Sequence, residues 1–195
     1  MMILAIADIH GSQYRLNILL DNIEKFSPDL VVVCGDITQF GPGEVATNFL
    51  EQITVDTFAI PGNIDTPDVA EAIEKSKATN IVSKKVEKNN ISFVGVSESD
   101  ISLIENRLDE KSVLVTHTPP YGLQDKVFIG MHAGNKNLRK LVDRYKPRLV
   151  LCGHIHEDPG YTKTNNTVVV NCSMGKRGEG ALIEINKNIS VKMLG

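Results

Sequence analysis

The 195-residue chain carries 21 basic and 24 acidic side chains, a formal charge of −3, without the cationic excess needed to bind a phosphate backbone, so nucleic acid is disfavoured as a partner. At 42% hydrophobic it can fill one sizeable core, and a single domain over residues 1–195 is expected. The apolar start, Met1 to Ala7, is too short for a signal segment, no run reaches the length of a membrane span, and the odd set Cys34, Cys152 and Cys172 reads as buried reduced thiols. A cytoplasmic protein with no membrane partner is the expectation.

In chain order, Ile3 to Ala7 predicts a first strand, ended by Asp8. Ser12 then stands as an N-cap before a helix with Leu16, Leu19, Leu20, Ile23 and Phe26 on one face and Pro28 beyond its end. Leu30 to Cys34 is a second strand, and Val45, Phe49, Leu50 and Ile53 share the stripe of a second helix. Thr57 to Ile60 is a third strand, after which Pro67 opens a helix with the stripe Val69, Ala70, Ile73 and Lys77. Val113 to Thr116 and Leu149 to Cys152 are strands separated by a helix carrying Leu138, Leu141, Val142 and Tyr145 and ended by Pro147. Beyond residue 156, Val168 to Val170, Gly180 to Ile185 and Ile189 to Met193 are separated by Thr164-Asn165-Asn166 and Asn186-Lys187-Asn188, the pattern of antiparallel hairpins. Together with Ile91 to Val96 these late runs suggest a second sheet. The class is α/β: two stacked mixed β-sheets flanked by helices, a four-layer α/β/β/α sandwich.

Five strands end in residues able to bind a metal: Asp8-Ile9-His10, Gly35-Asp36, Gly62-Asn63, His117, and Gly153-His154-Ile155-His156. Ligands of open α/β sheets gather at the carboxyl ends of strands, so these side chains are expected on one rim. A lone histidine at a strand end is ordinarily structural. Four of the chain's five histidines at such ends, with two aspartates and an asparagine, are hard to explain that way. Imidazole, carboxylate and amide donors suit Mn, Fe, Co, Ni or Zn better than Ca. Seven donors exceed the four of a closed structural site, which argues for two divalent ions sharing Asp36 or another carboxylate. Such a pair lowers the pKa of a bound water from 15.7 to roughly 7 and clamps an oxyanion.

Taken in order over residues 8 to 156, the motifs D-x-H, G-D, G-N-x-D, a lone H and G-H-x-H resemble the calcineurin-like metallophosphoesterase superfamily, in its compact single-domain branch of bacterial and archaeal phosphoesterases. The resemblance implies a metal-dependent phosphoric ester hydrolase, a phosphodiesterase or phosphatase acting on a small phosphorylated substrate, with manganese among the candidate ions. It places Asp8, His10 and His156 on a first metal and Asn63, His117 and His154 on a second, with Asp36 on both and a hydroxide between them. Asn63 and His117 count also among the catalytic groups. An extended segment would turn His154 and His156, two residues apart, to the same side and so toward different ions, and Gly153 would allow a close approach. Exposed edge strands would offer a route to a homodimer.

The pattern departs at Ile64. Active phosphatases of this superfamily carry histidine in the third position of GNH(D/E), where it helps to protonate the leaving group; here the chain reads Gly62-Asn63-Ile64-Asp65. A positioned acid is worth about 10² to 10⁴ in rate, so aryl esters are expected to be hydrolysed better than alkyl ones. The same departure supports an alternative, a catalytically weak or inactive scaffold of this fold that binds protein. His132, in a loop between Gly130 and Gly134, is either a surface or helix-capping residue or a substitute acid or phosphate contact, and is the third candidate catalytic residue. Asp65 is expected to cap the helix at Thr66-Pro67 or to orient Asn63. In Asn171 to Arg177, Ser173, Lys176 and Arg177 offer a hydroxyl and two cations that could receive a phosphate oxygen, or form a solvated turn. Cys172 has no base beside it in sequence and is not read as a nucleophile.

Overall fold

Successive side chains of a strand point to opposite faces, and the central strands of this chain are apolar on both, so each is covered on two sides. The computed structural model describes residues 1–164, 166–175 and 178–195, with only the backbone of Glu98 and Ser99. In chain order it contains β1 (Met2–Ile6), α1 (Gln13–Phe26), β2 (Leu30–Cys34), α2 (Gly43–Leu50), β3 (Thr57–Ile60), α3 (Pro67–Lys75), β4 (Thr79–Asn80), β5 (Lys85–Lys88), β6 (Ile91–Val96), β7 (Val113–Thr116), α4 (Lys136–Tyr145), β8 (Leu149–Cys152), β9 (Gly160–Lys163), β10 (Val168–Asn171), β11 (Met174–Gly175), β12 (Gly178–Glu179), β13 (Ala181–Ile185) and β14 (Ile189–Met193), with 3-10 turns at Glu98–Arg107 and Phe128–Gly130.

The strands form two six-stranded sheets, ordered β14-β13-β1-β2-β3-β4 and β5-β6-β7-β8-β10-β9, besides the small β11-β12 ribbon. Ile3 and Ala5 of β1 and Leu30 and Val32 of β2 face inward onto Phe93, Val113, Val115, Leu149 and Leu151 of the other sheet, forming the central layer of the core. The alternate residues Leu4, Ile6, Val31 and Val33 face outward onto Leu16, Leu19, Phe49 and Ile73 of the helices. On the far side Val94, Leu114 and Val150 meet Leu138, Leu141 and Val142 of α4. Phe58 and Phe93 bridge the sheets edge to face, with ring centroids 5.2 Å apart. The result is the expected two stacked mixed sheets flanked by helices.

The partition of strands between the sheets differs from the sequence expectation. The late hairpin β13-β14 joins the first sheet, with β13 antiparallel beside β1, whereas β7 and β8 belong with β6 in the second. β7 and β8, buried on both faces, fit either sheet equally, and the one-sided β13 and β14 fit an edge of either, so hydrophobic pattern cannot assign them. Helix ends also differ: Ile53 lies beyond α2 and Lys77 beyond α3. Asn165, in the turn expected beside the run Val168 to Val170, lies outside the described residues. No helix among the described residues is long and apolar enough to cross a membrane.

Candidate metal centre

Beyond the ends of β1 and β2 the chain leaves regular pairing but not hydrogen bonding. Asp8 N donates to Gly35 O at 3.1 Å, His10 N to Asp36 O at 2.9 Å and Gly11 N to Ile37 O at 2.8 Å, so the two segments run on side by side. The sheets are tied at the same level, where Ala7 N donates to Cys172 O at 3.1 Å and Met174 N to Ala7 O at 2.9 Å. These bonds hold an unusual backbone. Asp8, His10, Asp36 and His154 have φ of 61°, 54°, 51° and 69°. Left-handed residues other than glycine each cost on the order of 1–3 kcal/mol and persist where their surroundings over-determine them.

The strain around His154 corrects one expectation. Residues 153 to 155 are not extended: Ile155 N donates to Gly153 O at 2.8 Å, closing a three-residue turn about His154. The turn nevertheless sends the two imidazoles to different neighbours. His156 Nε2 lies 3.3 Å from His10 Nε2 and 3.2 Å from Asp8 Oδ1. His154 Nδ1 lies 3.3 Å from His117 Nε2, which also faces Asn63 Oδ1 at 2.8 Å and Asp36 Oδ2 at 3.3 Å. All seven residues singled out from sequence thus fall into two adjoining sets.

Donor atoms of Asp8, His10 and His156 lie within 4.8 Å of one another, as do those of Asp8, Asp36 and His117, so each set could hold a metal ion. Asp8, rather than Asp36, is common to both. Asp8 is fully buried and also accepts the amide of His154 at 2.9 Å. Paired ring nitrogens facing carboxylate and amide oxygens are the donor chemistry of a Mn, Fe, Co, Ni or Zn site, so the residues fit such ions. His10 Nδ1 is buried with no hydrogen-bond partner among the described residues, a cost the ring bears while Nε2 faces His156.

Two glycines permit this closeness. A Cβ on Gly62 would stand 2.0 Å from Asp36 Oδ1, and one on Gly153 would stand 2.3 Å from Ala7 Cβ and 2.7 Å from Asp8 Oδ2. Asp65 is placed differently from either sequence expectation. Thr66 is the N-cap of α3, while the Asp65 carboxylate accepts from Ile37 N (3.0 Å), Thr38 N (2.8 Å), Thr38 Oγ1 (2.9 Å) and Gly62 N (2.9 Å). It knots the loops after β2 and β3 behind the centre.

The electrostatics follow from this crowding. Burial works to lower His117, but the Asp36 hydrogen bond, the charges of Asp8 and Asp36 and the Cys34 carbonyl outweigh it and raise the ring to about 8. Burial pushes the Asp8 carboxyl up, yet the His156 hydrogen bond and the charge of His117 hold it below its usual value. His156 is raised chiefly by its hydrogen bond to Asp8, against burial, whereas His10 is lowered by burial in spite of Asp8 and Asp36. Cys34 and Cys152 are buried thiols pushed well up by desolvation, and Cys172 is buried with Sγ donating to Cys152 O, so none is placed as a nucleophile.

His132 is not drawn into this cluster. Its Nδ1 bonds Asp125 Oδ1 at 2.6 Å, and it caps no helix, because Asn135 accepts from Asn137 N and Leu138 N at the start of α4. The Ser173 hydroxyl is turned inward onto Asn171 Oδ1 at 2.7 Å, and Lys176 and Arg177 lie outside the described residues. Sequence reasoning missed Asp125, a carboxylate in a loop with no strand end to mark it. It also missed Arg15, whose Nη1 donates to Asp8 O at 2.6 Å and Ile9 O at 3.3 Å and so braces the first motif from α1. Its only signal is a cation one turn into the helix that follows.

The sequence model of the calcineurin-like phosphoesterase family matches residues 1–158. An uncharacterised protein of Methanocaldococcus jannaschii is 33% identical over 198 residues, covering 89% of this chain and 88% of that protein. A probable glycerophosphodiester phosphodiesterase of Arcobacter nitrofigilis is 30% identical over 175 residues, covering 76% of this chain and 64% of that protein. A dimetal phosphatase from Danio rerio shares the fold, with a TM-score of 0.72 at 13% identity over 100% of this chain and 96% of that one. With the family match spanning most of the chain and every motif on one rim, this protein belongs to the calcineurin-like phosphoesterase family.

Proposed function

We propose that the chain acts, as one domain, as a dinuclear metal-dependent phosphoesterase that hydrolyses a phosphodiester or phosphomonoester bond. The observation that carries this reading is the convergence of two sets of donor atoms, His10 with His156 and His117 with His154, on either side of Asp8 and Asp36. Asp8, His10 and His156 would hold one ion and Asn63, His117 and His154 the other, with Asp8 or Asp36 between them. Divalent ions bound there supply a water of lowered pKa and neutralise charge on the phosphoryl oxygens.

The chain's own groups prepare the site. Nδ1 of His117 donates to Cys34 O at 2.8 Å, which fixes the ring with Nε2 toward Asn63 and Asp36. Ile64 N donates to Asp36 Oδ1 at 3.1 Å, leaving Oδ2 on the His117 side. Asn63 is exposed and His156 half-buried, so a small phosphorylated substrate can enter from the rim. Similarity to a probable glycerophosphodiester phosphodiesterase supports a diester substrate.

Hydrolysis of bis-p-nitrophenyl phosphate and p-nitrophenyl phosphate by protein stripped of metal and reloaded with Mn, Ni, Co or Zn tests the reading, with Asp36→Asn as control. Activity that needs metal and is lost with Asp36 is the expected result. No turnover by protein shown to bind metal would instead support a scaffold on this fold, the reading that Ile64 favours.

A further inference from the structure

A second histidine–carboxylate pair lies outside the seven metal candidates. Asp125 is fully buried and takes three donors: His132 Nδ1 at 2.6 Å on Oδ1, and the amides of Gly122 and Gly134 at 2.8 Å and 2.9 Å on Oδ2. Burial alone would push its carboxyl up, but these donors, His132 first among them, hold it low. The acceptor is therefore a carboxylate, and His132 must carry its proton on Nδ1. About a third of the His132 side chain is exposed, and among the described residues Nδ1 is its one hydrogen-bonded ring atom. An imidazole with one nitrogen fixed by a buried carboxylate and the other open is oriented for acid–base work.

The pair stands on a hairpin tied to the metal rim. Ala133 N donates to Asp125 O at 3.0 Å and Val127 N to Met131 O at 2.9 Å, with an antiparallel bridge between Lys126 and His132. At its base, Asn171 Nδ2 donates to both Gln124 O at 3.3 Å and Ile155 O at 2.8 Å, and Ile155 lies between His154 and His156. Lys126 N and Gln124 Nε2 reach Asp158 at 3.0 Å and 3.2 Å, just beyond His156. The loop that leads into the hairpin leaves β7 at His117. The charged and titratable groups around the ring are Asp125, Lys126 across the bridge, Tyr121 with its ring centroid at 5.5 Å, Lys136 over that ring, and Asp158 at the base.

We propose that His132 protonates the leaving group in this enzyme, in the role left vacant by Ile64, with Asp125 as its positioning residue. The inference rests on the phosphoesterase reading above. In the step, a phosphorus–oxygen bond forms to the attacking water oxygen as the bond to the leaving oxygen breaks. His132 enters the step as the imidazolium, with both nitrogens protonated, and Nε2 gives its proton to that oxygen, which departs as an alcohol. The neutral ring, still donating Nδ1–H to Asp125, recovers through solvent the proton that the water releases.

The test compares kcat and KM of metal-loaded wild type, His132→Gln and Asp125→Asn on bis-p-nitrophenyl phosphate and on glycerophosphoethanolamine, whose leaving groups are both alkoxides. Metal content and unfolding midpoint are measured for each protein. For His132→Gln, kcat on the alkyl diester is expected to fall by about 10² or more relative to its fall on the aryl diester, with KM little changed. Adding Ile64→His to His132→Gln should recover at least about tenfold on the alkyl substrate alone. Equal losses on both substrates, no loss on either, or a wild type that cleaves only the aryl diester would overturn the proposal and leave the phosphoesterase reading standing. A metal-loaded wild type inert toward both would overturn that reading and this proposal together. Asp125→Asn should follow His132→Gln in leaving-group dependence; a fall that does not distinguish the substrates counts against the positioning role.

Discussion

Nε2 of His10 and Nε2 of His156 stand 3.3 Å apart although 146 positions separate them in the chain. Two imidazoles meeting nitrogen to nitrogen gain little from each other, since one must lend a proton and both lose water. An ion between them and Asp8 would satisfy both lone pairs. If the site is dinuclear as proposed, His10→Ala is expected to lower metal content from two ions per chain to one, measured by elemental analysis after dialysis, and to abolish turnover.

Close approach of backbone to ligand makes Gly62 as critical as the residues that bind. With a Cβ 2.0 Å from Asp36 Oδ1, Gly62→Ala must displace that carboxylate or the loop carrying Asn63. A shift of about 1 Å in a catalytic group commonly costs about 10² in rate. Turnover of bis-p-nitrophenyl phosphate should fall by about that factor, while far-ultraviolet circular dichroism stays that of the wild type.

Asp65 contributes to stability rather than to chemistry. Removing its carboxylate leaves the amides of Ile37, Thr38 and Gly62 and one hydroxyl without their acceptor. Each stranded donor costs about 1 kcal/mol or more, so Asp65→Ala should lose about 4 kcal/mol in urea unfolding. Asp65→Asn, which keeps one carbonyl oxygen, should lose less.

In the metal-free protein His117 is raised from its usual 6.5 to about 8, because its protonated ring can donate to Asp36 and to Cys34 O. A group whose folded value is raised stabilises fully below its unfolded value and loses that contribution as pH rises through the folded one. The interval worth about 2 kcal/mol therefore lies between the two, and metal-free stability should decline across it. His156 is raised and adds in the same direction; His10 is lowered and opposes both. A metal held by His117 would have to displace that proton, so affinity by calorimetry should weaken as pH falls below about 8.

The metal candidates were legible because their chemistry does not depend on which sheet carries each strand. Asp8, Asp36, Asn63 and His117 follow apolar runs in sequence and strand ends in space. The turn at His154 was not legible, since nothing in the letters GHIH marks a histidine at φ 69°. Membership of β13 in the first sheet and the partnership of Asp125 with His132 were hidden for a related reason. Both are pairings between segments, and neither partner alone differs from an ordinary strand or an ordinary loop carboxylate.

The place of β1 bears on how the molecule is made. It lies between β2 and β13, taking Ile183 opposite Ile3 on one side and Leu30 on the other. On the ribosome β2 follows promptly, but β13 emerges only some 175 residues after the end of β1, an interval of about 9–35 s at ordinary rates of synthesis. Until then a fully apolar strand has one edge unpaired, the condition in which nascent chains need a chaperone's cover. The metal candidates nearest the amino terminus, Asp8 and His10, are thus made before the other five and are among the last to be held in place.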